Sequence, residues 1–244
     1  MTLIGRTRAR GVETLTLDSP HNRNALSAAL VGELTDALAD CAKDADVRAI
    51  VLTHTGNTFS AGADLRDPPP PEALVALLRQ ILALPKPVVA RVTGHVRAGG
   101  LGLLAAGDIS AASQQATFAF TEVHIGVAPA VISLALLPRT DPRALARYYL
   151  TGERFTAPEA ARIGLLTTAG EDVDEALAPI LDGLRRAAPQ ALAETKALLT
   201  AKVLEAFDRD AADLTALSAR LFSSAQAREG MTAFLERRDP AWVV

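Results

Sequence analysis

The sequence predicts a layered α/β fold that gives way to an extended helical region. Short apolar runs with strand character recur at helix-length intervals up to about residue 140, the pattern of βα crossover units. Alanine-rich stretches with helical spacing dominate beyond that point. Of the 244 residues 49% are hydrophobic, enough for one large domain or a core domain with a smaller helical appendage.

Val12 to Leu17 alternates in polarity and reads as a strand that Asp18-Ser19-Pro20 ends. Ser27 is a candidate cap for a helix whose apolar stripe is Leu30, Leu34, Leu38 and Cys41, with Glu33, Asp36 and Asp40 off that stripe. Ala49 to Leu52 and Pro87 to Val92 are short apolar strands, and Ile109 to Ala112 and Ala116 to Phe120 continue the series. The run Pro68-Pro69-Pro70-Pro71 forbids helix locally and favours a stiff extended connector before a helix over Glu72 to Leu84. Further helices are expected over Pro142 to Leu150, Ala157 to Ile163, Val173 to Arg186, and Pro189 to about Arg238, with no strand ladder among them. The expected division is a core over residues 1–188 and a helical region over 189–244.

Composition removes several function classes. A formal net charge of −3 provides no basic field for nucleic acid. Cys41 is the single cysteine, so no intrachain disulfide or cysteine-based metal cluster can form, and its place on an apolar stripe predicts a buried, inert thiol. No metal site is expected, because neither His95 nor His124 has a second ligand at suitable helical spacing. The N-terminus lacks the apolar stretch of a secretory signal, and the longest weakly polar run, Ala98 to Gly107, is about half of what a membrane span needs. A cytoplasmic protein with no membrane partner is the expectation.

The chemistry concentrates in two glycine-punctuated segments, Phe59-Ser60-Ala61-Gly62-Ala63-Asp64-Leu65 and Thr93-Gly94-His95-Val96-Arg97-Ala98-Gly99-Gly100-Leu101-Gly102. Each follows a strand-like run and leads into small residues that let backbone N–H groups approach a ligand. Two such donors aimed at one carbonyl oxygen make an oxyanion hole. A single carboxylate, Glu122, follows among Phe118, Phe120, Val123, Ile125 and Val127, apolar surroundings that raise a carboxyl pKa toward a useful range.

In their order and spacing these segments resemble the crotonase superfamily, the enoyl-CoA hydratase/isomerase group. The resemblance runs through His21-Asn22-Arg23-Asn24-Ala25-Leu26, Lys86-Pro87, Thr121-Glu122-Val123-His124-Ile125-Gly126, Leu150-Thr151-Gly152-Glu153-Arg154-Phe155 and Ala233-Phe234-Leu235-Glu236-Arg237-Arg238-Asp239-Pro240. It implies a spiral of ββα units with a C-terminal helical trimerisation region, assembled as a homotrimer or a dimer of trimers. It also implies an acyl-CoA substrate, with CoA part of that substrate and no separate cofactor. Carried over by position, Ala63 and Gly99 supply the oxyanion donors and Glu122 moves protons. Arg23, Ala25, Leu26, Ala61, Asp64, Leu65, Arg66 and Gly100 line the substrate path. For Arg23 a solvated surface charge is the alternative.

One position departs from the family pattern. Hydratases of this kind use two glutamates, the first three residues beyond the second oxyanion donor, where this chain has Gly102. Hydration needs one group to activate water and another to manage the α-carbon proton. A lone carboxylate suits proton shuttling between two carbons of one substrate, so isomerisation of a 3-enoyl to a 2-enoyl thioester is favoured on mechanism. The alternatives are a hydratase using a substitute acid or water, and a non-catalytic acyl-CoA-binding protein. His95 or His124 could supply the substitute, against a hydrogen-bonded structural role for each. His124, two residues past Glu122, shares a face with it if that segment is extended and diverges from it if the segment is helical.

Overall fold

A computed structural model describes residues 2–244. Two sheets organise the core. The first, of six strands, has the order β1 (Ile4–Ala9), β2 (Val12–Leu17), β3 (Ala49–His54), β5 (Val88–Val92), β7 (Ile109–Ser113), β10 (Thr168–Gly170). The β1–β2 pair is antiparallel and every other pair in this sheet is parallel. The second, of four strands, has the order β4 (Thr58–Ser60), β6 (His95–Arg97), β8 (Thr117–Ala119), β9 (Phe155–Thr156), with only β8–β9 antiparallel.

Chain order explains the architecture. A strand of the first sheet runs on into a strand of the second and then into a helix, three times over. The sequence is β3, β4, α2 (Pro71–Ala83); then β5, β6, α3 (Gly99–Ala106); then β7, β8, a 3₁₀ turn (Glu122–Ile125) and α4 (Ala130–Leu136). This is the expected ββα repeat. Because β4, β6 and β8 are neighbours, the carboxyl ends of three successive repeats stand side by side.

Local chemistry accounts for the helices. Ser27 Oγ accepts from Leu30 N at 3.2 Å and opens α1 (Ala28–Lys43), whose Leu30, Leu34, Leu38 and Cys41 are all buried. Pro71 is the first residue of α2 rather than the end of the connector, since proline is tolerated where no intrahelical N–H is needed. Beyond α4 come α5 (Pro142–Thr151), α6 (Ala157–Arg162), α7 (Val173–Arg186), α8 (Pro189–Phe222) and α9 (Ala225–Glu236).

Two expectations for this half are corrected. It does contain strands: β9 completes the second sheet and β10 edges the first. Each is only two or three residues long, too short to leave a period in the sequence. The long C-terminal helix is also two helices, broken at Ser223 and Ser224, where Ser224 Oγ accepts from Ala227 N at 3.0 Å and caps α9.

Lys196 ties α8 to the core. Its Nζ, almost fully buried, donates to Asp108 Oδ2 at 2.8 Å, Ile81 O at 2.7 Å and Lys86 O at 3.0 Å. Removing one partner of such a pair strands the other charge in low dielectric. Lys196→Met is expected to cost about 3 kcal/mol, read as a lowered urea midpoint at unchanged slope. An unshifted midpoint would show that the latch is dispensable. Among the described residues no helix is long and apolar enough to cross a membrane.

Candidate active site

Gly62 and Ala63 follow the end of β4, and Ala98 and Gly99 follow the end of β6. Leu26 N donates to Gly62 O at 2.8 Å and Asp64 N donates to Leu26 O at 3.0 Å, a parallel bridge between Leu26 and Ala63. In such a bridge the N–H of the residue between the two bonds points the other way, so that of Ala63 faces away from Leu26. Gly99 is the first residue of α3, so its N–H has no intrahelical partner. Among the described residues neither N–H donates to another protein group. A Cβ built on Gly99 would lie 3.6 Å from Ala63 N, so the two free donors border one small notch.

The notch is built on a strained backbone that its neighbours hold in place. Ala98 sits at φ 45°, ψ −124°, a conformation that costs a non-glycine residue about 1–3 kcal/mol. Ala98 N is anchored on Ala119 O of β8 at 3.1 Å. Opposite it Gly62 has φ +89°, and a Cβ there would stand 2.7 Å from Ala98 Cβ and 3.1 Å from Gly99 N. Only glycine permits both the angle and the approach.

Glu122 begins the 3₁₀ turn beyond β8, the strand beside β6. Its side chain is buried and its Oε2 has no hydrogen-bond partner among the described residues. Burial disfavours the ion and lifts the carboxyl to about 7, against a small opposing pull from its own backbone N–H. The fully buried ring of Phe120 and that of Tyr149 meet edge-on at 4.6 Å between centroids. Tyr149 Oη and Ser133 Oγ are 3.2 Å apart, and Ser133 Oγ donates to Pro129 O at 2.6 Å. Burial first, and the Glu122 charge in addition, raise the Tyr149 phenol above its ordinary value. Gly230 of α9 lies against the Ile125 backbone, where a Cβ would come within 2.5 Å, so the C-terminal helix backs the turn that carries Glu122.

The remaining predicted residues border this region unequally. Ala25 and Leu26 are buried, Ala61, Asp64 and Leu65 are half-buried, and Arg23 and Arg66 are exposed. Asp64 is held by Arg66 N at 3.0 Å and Asn22 Nδ2 at 3.3 Å. Gly100 is buried against Ser60. Among the described residues neither of the two histidines hydrogen-bonds the carboxylate. His95 lies in strand β6 rather than in a glycine-rich turn, its Nδ1 3.0 Å from Thr117 Oγ1. The Glu122 segment is helical, so His124 diverges to the exposed side, with Nε2 2.8 Å from Thr151 O. Tyr149 and Ser133 were missed because no motif marks them. A cleft of ≈ 570 Å³ between α2 and α8, lined by Glu72, Arg79, Ala211 and Thr215 among others, shares none of these residues.

A repeated ββα unit followed by a long C-terminal helical region is the fold of the crotonase superfamily. The solved enoyl-CoA hydratase of Mycobacterium avium is 51% identical, with a TM-score of 0.93 and complete coverage of both chains. The (E)-benzylidenesuccinyl-CoA hydratase of Thauera aromatica is 31% identical over 95% of each chain, and the carnitinyl-CoA dehydratase of Salmonella typhimurium 30% identical over 97% of this chain and 96% of its own. The profile of the family "Enoyl-CoA hydratase/isomerase" matches residues 7–243. The chain belongs to that family and is an enzyme acting on CoA thioesters.

Proposed function

We propose that this enzyme binds an enoyl-CoA with its thioester oxygen on Ala63 N and Gly99 N, and that Glu122 carries a proton between two carbons of the acyl chain. The observation that carries this reading is one buried carboxylate whose Oε2 has no hydrogen-bond partner among the described residues and whose pKa is raised to about 7. Such a group is half-ionised near neutrality and can take a proton and return it. The two N–H groups would stabilise the enolate formed in between, helped by the positive end of α3. Leu26, Ala25, Ala61, Leu65 and Gly100 would border the acyl and pantetheine path, with Arg23, Asp64 and Arg66 at its outer end.

Isomerisation of a 3-enoyl-CoA is the preferred reaction. Hydration is the second reading, supported by the hydratase names of the relatives above. Purified protein offered both substrates is expected to convert a 3-enoyl-CoA and to leave crotonyl-CoA nearly untouched, and rapid hydration of crotonyl-CoA would overturn the preference. On the free enzyme kcat/KM is expected to rise as pH increases through about 7, because the ionised form of Glu122 is the base. Tyr149, held above its ordinary range, stays neutral there. Binding of CoA esters without turnover of any would instead favour a carrier. We also propose that residues 189–244 join copies into a trimer, since Leu198, Leu199, Phe234 and Leu235 are exposed on α8 and α9.

A further inference from the structure

Gly102 lies one helical turn beyond Gly99 on α3, so the two share a helix face. From Gly99 that face looks onto Ala63 N; from Gly102 it meets an apolar wall. A Cβ at position 102 would stand 2.6 Å from Ile132 Cγ2, 3.1 Å from Ile132 Cβ and 3.3 Å from Leu78 Cδ1. Ile132 and Leu78 are both buried. The distance to Cγ2 is one that real Cβ atoms essentially never show, and the colliding atom is a branch fixed at its own Cβ rather than the far end of a flexible chain.

We propose that Ile132 determines which reaction this site runs, by filling the volume that a side chain at position 102 would need and so excluding a second acid, and any water such an acid would hold, from that wall. The proposal rests on the reading of Ala63, Gly99 and Glu122 as the catalytic set. A water poised for addition needs two or more polar partners. Ile132 and Leu78 offer none, and the nearest hydroxyl on α4, Ser133, is already committed to Pro129 O and Tyr149. With no polar partner to hold a water on that wall, return of the proton from Glu122 to the substrate is favoured over addition of water. The glycine and the isoleucine are therefore coupled: position 102 has no room for a side chain while Ile132 stands beside it.

Two measurements separate this idea from the reading beneath it. Thermal unfolding of G102A, I132A and G102A/I132A reads the interlock without any substrate. G102A is expected to lower Tm by about 4 °C or more in the wild-type background and by much less beside I132A. Additive shifts would sink the proposal whatever the enzyme catalyses. Crotonyl-CoA hydration then reads the chemistry. G102E/I132A is expected to hydrate about tenfold faster than G102E or I132A alone, with the gain lost on adding E122Q. G102E/I132V, which keeps the Cγ branch, is expected to gain nothing. A single G102E as active as the double variant would show that Ile132 excludes nothing. Failure of the wild type to convert a 3-enoyl-CoA would count against the isomerase reading and leave the Tm comparison decisive for Ile132.

Discussion

Replacing Glu122 with Gln is expected to lower turnover of a 3-enoyl-CoA by roughly 10²–10⁴-fold, the usual contribution of a positioned acid–base group. The same change carries a stability signature that activity alone would not reveal. Burial lifts this carboxyl from 4.5 to about 7, so the folded protein holds the proton more tightly than the unfolded chain does. Stability is highest below the unfolded value, falls as pH rises through that window, and stays at the lower level above about 7. At 1.36 kcal/mol per pKa unit the loss is about 3 kcal/mol. The glutamine side chain has no proton to release. The stability of the variant relative to the wild type should therefore rise by about 3 kcal/mol between about pH 4 and pH 8, over any constant cost of burying the amide. Urea titrations at the two pH values measure it. A pH-independent difference would mean that Glu122 ionises freely, and the case for it as a poised base would fall with that result.

Gly62→Ala should damage catalysis through the backbone alone. The added methyl would stand 2.7 Å from Ala98 Cβ and 3.1 Å from Gly99 N, at a φ of +89° that L-residues rarely adopt. The strand ends carrying Ala63 and Gly99 must then part, and a donor moved off the enolate oxygen forfeits about 3–4 kcal/mol of transition-state stabilisation. A fall in kcat of about 10²–10³-fold with CoA-ester affinity largely retained is the expected split. Weakened affinity with kcat unchanged would place this loop in binding rather than in charge stabilisation. Together the two variants test the base and the carbonyl clamp through separate observables.

Much of this was legible in the residues because it is local. The Ser27 cap, the Leu30–Cys41 stripe and the apolar runs that became β3, β5 and β7 are short-range patterns with a physical period. The strands β9 and β10 escaped because two or three residues carry no period; they form only because an edge of an existing sheet supplies their hydrogen bonds. Reading α8 and α9 as one helix failed for a similar reason. Alanine-rich sequence propagates helix on either side, and the break at Ser223 and Ser224 is set by capping geometry and by the packing of α9 on the Glu122 turn. Tyr149 and Ser133 were invisible in kind, since an ordinary tyrosine and serine gain meaning only from what lies beside them.

The residues alone gave the alternation of strands and helices, the glycines where the backbone must bend or crowd, the lone acid at position 122 and, through resemblance in their order, the family. Each of these is written in neighbouring residues or in their spacing. Only the tertiary structure decided that the ends of β4, β6 and β8 stand together, that Glu122 is buried deeply enough to hold its proton to about 7, and that Ile132 occupies the room beside Gly102. Burial and steric exclusion belong to groups far apart along the chain, and no local pattern encodes which of them will meet.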